Sequence, residues 1–214
     1  MRANKFIINM EDSEFFLNVD TMIEKTLTVK SIEDMCVKFE KEVTDNSGKY
    51  VDDFKLALAM GEQGERIVRR FLEKLGYVFL SKCENISHDY KFIKQGREYV
   101  FEIKTDVAHM RNNKQSGEPY DTGNMAVEYE SRGNASGIAA TKADFFVTYY
   151  PHLNEIWLVK TEKLKNIIRE NKDIIKKVEH AGDSNSNTKL FLLNREIFKD
   201  QFRIASPYQK TINV

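Results

Sequence analysis

Alternation of side-chain character over Tyr99-Val100-Phe101-Glu102-Ile103-Lys104 restricts this chain more than any other feature. Aromatic and β-branched residues take turns with polar ones, the pattern of a strand with one buried face. Successive side chains on a strand leave on opposite faces. Glu102 and Lys104 therefore share one face, while Tyr99, Phe101 and Ile103 point the other way into a core. A second strand-like run, Asp89-Tyr90-Lys91-Phe92-Ile93, lies upstream, and the polar turn Lys94-Gln95-Gly96-Arg97-Glu98 joins the two. The runs are expected to pair as a hairpin, which brings Asp89 near Glu102. Two carboxylates and one lysine at one point suit a hard divalent cation and a water nucleophile.

A helix is predicted ahead of the hairpin. Met60 to Leu75 places Met60, Ile67, Val68, Phe71, Leu72 and Leu75 on one stripe, and Gly76 follows as a natural stop. Glu65 stands at the edge of that stripe, one turn before Val68, whereas Glu62 projects toward Arg66 and Arg69 on the wet side. Glu65 is thus a candidate third acid for the site. An acid early in a helix is also favoured by the macrodipole and needs no other purpose.

Asp89 followed by Glu102-Ile103-Lys104 resembles the core of the PD-(D/E)XK nuclease superfamily, a carboxylate, a variable gap, then Glu-x-Lys on the next strand. His88 stands where the family's proline is expected. Downstream, a strand over Gly123–Ser131, the segment Ser136–Asp144 and the apolar strand Phe145–Tyr150 look like the phage and Holliday-junction-resolvase-type members. In those a glutamate-bearing strand leads to a short helix with an Ala-Asp pair, then a buried strand. The resemblance covers about Met60 to Phe198 and implies an α/β (α+β) fold with a restriction-endonuclease-like mixed central sheet flanked by helices. It also implies that Asp89, Glu102, the Ile103 backbone carbonyl and Glu65 hold Mg²⁺, with Mn²⁺ as a substitute. The implied activity is hydrolysis of DNA phosphodiester bonds by a metal-activated water, with Lys104 orienting that water and stabilising charge on the phosphate. The alternatives are an inactive nuclease-like module that binds nucleic acid or serves assembly, and an RNA endonuclease of the cap-snatching kind. A homodimer and a phage origin are further implications, the latter placing the chain in a host cell's cytoplasm.

Other strands are expected at Glu155–Lys160 and Lys189–Leu193, with Thr161 capping a helix that runs to about Asn171. With 214 residues, 41% of them hydrophobic, the chain can bury one sizeable core. Residues 54–214 are assigned to the nuclease-like domain and 1–53 to an N-terminal extension packed on or beside it. That extension includes a helix near Ser31–Val43. No stretch approaches the roughly 20 apolar residues of a membrane span. No signal-peptide pattern is present, and a cytoplasmic location is expected. Cys36 and Cys83 are too few for a disulfide framework.

The 33 basic and 33 acidic residues cancel. That excludes a coat of positive charge but not a local basic groove, because counterion release depends on the charges that touch phosphate. Arg97, Arg111, Lys114, Arg132 and Lys142 are candidate phosphate contacts; each is otherwise a solvated surface charge. Lys142 stands out by its place just before a buried strand. The polar stretch Thr105–Thr122 is a loop that either closes over a nucleic-acid strand or is a surface loop. The scattered His88, His109, His152 and His180 offer no zinc spacing. If Asp89 faces a metal, its neighbour His88 faces away. No phosphate-binding glycine loop is present. Glu128 and Glu130 either extend the acidic cluster or line an exposed strand edge.

Overall fold

The structure is a computed structural model that describes residues 53–83, 87–106, 121–181 and 187–207. The expected extension, Arg111 and Lys114 lie outside those residues. The first element is helix α1 (Asp53–Lys74), which Gly76 ends in the left-handed region at φ +84°. A hairpin pair follows: β1 (Val78–Lys82) lies against β2 (Tyr90–Lys94), and β2 against β3 (Arg97–Thr105), both antiparallel. The β2–β3 turn is only Gln95-Gly96, at φ +52° and +79°. Two consecutive positive φ values twist a two-residue turn to match the flanking strands.

β3 is the pivot of the sheet. It pairs in parallel with β6 (Phe145–Tyr150), with Glu102 opposite Phe146 and Lys104 opposite Thr148. β6 pairs antiparallel with β7 (Glu155–Lys160), and β7 with β10 (Arg203–Ala205). The six-stranded order is β1-β2-β3-β6-β7-β10, a mixed sheet. All six residues of β6 are buried, as befits a central strand covered on both faces. A second sheet has the order β5-β4-β9-β8, from β4 (Asn124–Ser131), β5 (Asn134–Ala135), β8 (Lys176–Ala181) and β9 (Thr188–Asn194). The remaining helices are α2 (Thr161–Glu170) and the single turn α3 (Arg195–Phe198). The fold is thus α+β.

The pleat sorts the core into two layers. Phe101, Ile103, Phe145, Val147 and Tyr149 face α1, where they meet Ile67, Val68, Phe71 and Leu72. Phe146, Tyr150, Trp157 and Val159 face the other way, onto Met125, Val127 and Leu193 of the second sheet and Leu164, Ile167 and Ile168 of α2. Phe92 and Phe101 are edge-to-face at 5.4 Å, and Tyr77 meets both. Each such buried side chain contributes about 1.5–3 kcal/mol. Glu102 and Lys104 belong by register to the second-sheet face. α1 approaches β3 closely: a Cβ added at Gly64 would lie 1.8 Å from Thr105 Oγ1. Only glycine admits this approach, one residue beyond Lys104.

Two local expectations are corrected. Ser136–Asp144 forms one 3₁₀ turn, Gly137–Ala139, and then extended chain, because Gly137 sits at φ +48° under the Glu128 carbonyl. Thr161 is the first residue of α2, not its cap; Lys160 takes the cap position, and the buried Thr161 Oγ1 bonds to nothing among the described residues. Among the described residues no helix is long and apolar enough to cross a membrane.

Candidate active site

β2 begins at Tyr90, opposite Phe101, whereas β3 runs on to Thr105. Beyond Phe101 the β2-facing edge of β3 has no strand partner. Asp89 fills the first gap: its N–H donates to the Phe101 carbonyl at 3.0 Å, and its Oδ2 accepts the Ile103 N–H at 2.5 Å. A carboxylate thus replaces the next rung of the ladder. N–H and C=O of one strand residue leave on the same edge, so the Ile103 carbonyl also faces this opening. Asp144 does the same at the other edge of β3, accepting the Val100 N–H at 2.9 Å.

Glu102 is 5% exposed. Its Oε1 lies 2.7 Å from Lys104 Nζ, and its Oε2 accepts the Thr141 hydroxyl at 3.1 Å. Asp89, one residue ahead of β2, is thus held against Ile103, the residue between Glu102 and Lys104 on β3. Burial, followed by the neighbouring Glu102 charge, pushes the Asp89 carboxyl up to about 6 despite the Lys104 charge and the Ile103 N–H. Burial opposes the charge of Lys104, yet Glu102 and Asp89 outweigh it and raise the ammonium's pKa above its ordinary value.

Glu65 reaches the flank of this group from α1. Its Oε2 lies 2.8 Å from Lys82 Nζ on β1, and Tyr90 hydrogen-bonds to it as well. The hydrogen bond to Glu65 raises the pKa of Lys82. Its carboxylate is thus engaged, although its charge is felt at Asp89. Among the described residues no three His, Cys, Asp or Glu side chains converge closely enough to hold a metal ion. The oxygens that could hold an ion here are those of Asp89, Glu102 and the Ile103 carbonyl. These are hard oxygens, which fit Mg²⁺, an ion that takes one or two carboxylates and keeps several waters.

The remaining candidates scatter. Lys142 is exposed beside the site, its N–H donating to the Ser87 carbonyl at 2.8 Å. Arg132 is exposed in the β4–β5 turn. Arg97 lies at the hairpin tip, its guanidinium 5.1 Å from the centre of the Tyr99 ring. Seven strand steps, roughly 23 Å, lead from it to Lys104. His88 Nδ1 pairs with the Ser87 hydroxyl at 2.8 Å. Glu128 accepts the Ser136 hydroxyl and Glu130 pairs with Lys189 at 2.7 Å, across a bulge in β4. Sequence reasoning missed Thr141, whose only signal was its place ahead of a buried strand.

No protein-family model matches the chain, and no curated protein matches it. Among solved structures, one similar to it is a bacterial homing endonuclease, at 18% identity and a TM-score of 0.35, over 49% of this chain and 68% of that one.

Proposed function

We propose that the chain is a Mg²⁺-dependent nuclease that hydrolyses DNA phosphodiester bonds. One observation carries this reading: Asp89 accepts the Ile103 N–H where β3 outruns β2, and the adjacent Glu102 is buried with Lys104 Nζ 2.7 Å away. Asp89, Glu102 and the Ile103 carbonyl would hold the ion, for which Mn²⁺ would substitute; bound there, it supplies a Lewis acid and lowers the pKa of a bound water. Lys104 is charged and reaches the same point. It would orient the attacking water and stabilise charge growing on the phosphate. The buried aromatic layer beneath Ile103 fixes the strand, so these groups need little reorganisation. Lys142, exposed beside the site, would meet a neighbouring phosphate. DNA as the substrate class rests on the sequence resemblance.

The test is cleavage of labelled single-stranded, duplex and branched DNA, and of RNA, with Mg²⁺, Mn²⁺ or EDTA. Wild type should cut DNA only with metal. Lys104→Ala should fold normally and lose on the order of 10²–10³ in rate. Cutting of RNA alone would shift the substrate class. Binding without cutting would favour a non-catalytic module.

A further inference from the structure

We propose that Thr141 is a positioning residue for Glu102, holding its carboxylate in the orientation that receives a divalent cation. The proposal rests on the reading of Asp89 and Glu102 as a cation site. Glu102 has two partners of unequal stiffness. Lys104 is a long, unbranched side chain with many rotamers, joined to Glu102 through a single ion pair at 2.7 Å. Thr141 is 5% exposed and β-branched, with few rotamers open to it. Its own segment is pinned: the Thr141 N–H donates to the Gly137 carbonyl at 2.8 Å, and the Lys142 N–H to the Ser87 carbonyl at 2.8 Å.

The hydroxyl has one proton and two acceptors in range, the Ser87 carbonyl at 3.0 Å and Glu102 Oε2 at 3.1 Å. The Ser87 carbonyl already accepts the Lys142 N–H, and a carboxylate is the stronger acceptor. The proton therefore belongs to Glu102. The lone pairs of Oγ1 take the Ala143 N–H at 3.2 Å. Oε2 keeps a second lone pair for a ligand. Ser87 lies two residues before Asp89, and its carbonyl is held by the Lys142 N–H, so the segment that carries Thr141 joins the approach to Asp89 to the carboxylate of Glu102. Partners that orient a metal ligand are worth 10–100-fold in affinity or activity.

Mn²⁺ titration of the full chain, followed by water-proton relaxation and by calorimetry, tests this without any substrate. Thr141→Val keeps the shape and removes the hydroxyl; its Mn²⁺ affinity should fall by about tenfold or more. Thr141→Ser restores the hydroxyl and should bind within about twofold of wild type, on the same reasoning. Unfolding curves for both variants exclude global loss of structure. In cleavage, Thr141→Val should lower kcat and raise the Mg²⁺ requirement while leaving KM for DNA unchanged. Wild-type Mn²⁺ affinity in Thr141→Val overturns the proposal alone, as does Thr141→Ser behaving like Thr141→Val. Mn²⁺ binding by a wild type that cuts nothing removes the nuclease reading and leaves Thr141 its role. A wild type that binds no Mn²⁺ overturns both.

Discussion

Asp89→Asn should make this protein more stable at neutral pH while abolishing the proposed cleavage. Asp89 has a carboxyl pKa of about 6 in the fold against 3.8 for an ordinary aspartate. The folded state therefore holds the proton more tightly than the unfolded chain. Below pH 3.8 both states are protonated and the favourable contribution is complete. It is lost as pH rises toward 6, and above that the fold carries the full cost of an ionised Asp89. That cost is about 3 kcal/mol, at about 1.4 kcal/mol per pH unit. Asparagine cannot ionise, and its carbonyl still accepts the Ile103 N–H. The stability difference between Asp89→Asn and wild type should therefore change by about 3 kcal/mol in favour of the variant between pH 3.5 and pH 7. Denaturant unfolding in EDTA, at half-unit intervals across that range, measures it. Mg²⁺ should then stabilise wild type and not the variant. A stability difference that is flat with pH, or that moves in favour of wild type as pH rises, would refute the reasoning.

Other perturbations have equally definite outcomes. Gly64→Ala should destabilise by about 1–3 kcal/mol, since the new Cβ meets Thr105 Oγ1 at 1.8 Å and the helix-propensity gain of about 1 kcal/mol offsets only part. Thr105→Ala in that background should recover only part of the loss in thermal unfolding, because its Cβ stays 2.9 Å away. Asp121→Ala should cost about 1–3 kcal/mol by denaturation, because it strips its carboxylate partner from Arg195, which is 6% exposed. Burial opposes the Asp121 charge, but Arg195, the Gly123 N–H and His152 hold its carboxyl far below the usual range. The stability that pair contributes is present above the ordinary carboxylate pKa and should fade only in strong acid, as an acid-unfolding curve would show.

Short-range chemistry was legible in the sequence, and long-range pairing was not. The face shared by Glu102 and Lys104 followed from strand periodicity alone, and the end of α1 from Gly76. The tight turn at Gln95-Gly96 lies within the expected polar stretch. The division of strands into two sheets was not readable. β4 finds β9 at sequence separations from 59 to 70 residues, and nothing local in either run specifies that partner. Val78–Lys82 went unread as a strand because four of its five residues are exposed, leaving no apolar alternation. Its Lys82 nevertheless takes the Glu65 carboxylate, which helix spacing alone had aimed at the site. Thr141 was hidden for a related reason. A hydroxyl in an extended segment carries no periodic signal, and its worth depends on where a strand 39 residues upstream places Glu102.

The bond between the Asp89 carboxylate and the Ile103 N–H makes one backbone amide a reporter on the site's charge. In an ordinary ladder that hydrogen would exchange only when a strand peels away. Here its partner is a side chain that titrates near pH 6. Protonation weakens the acceptor without disturbing the strands on either side. Hydrogen exchange at Ile103, corrected for the intrinsic effect of pH, should therefore lose protection on acidification while Phe101 and Val147 keep theirs. Anything that fixes the carboxylate in its ionised form should hold that amide closed.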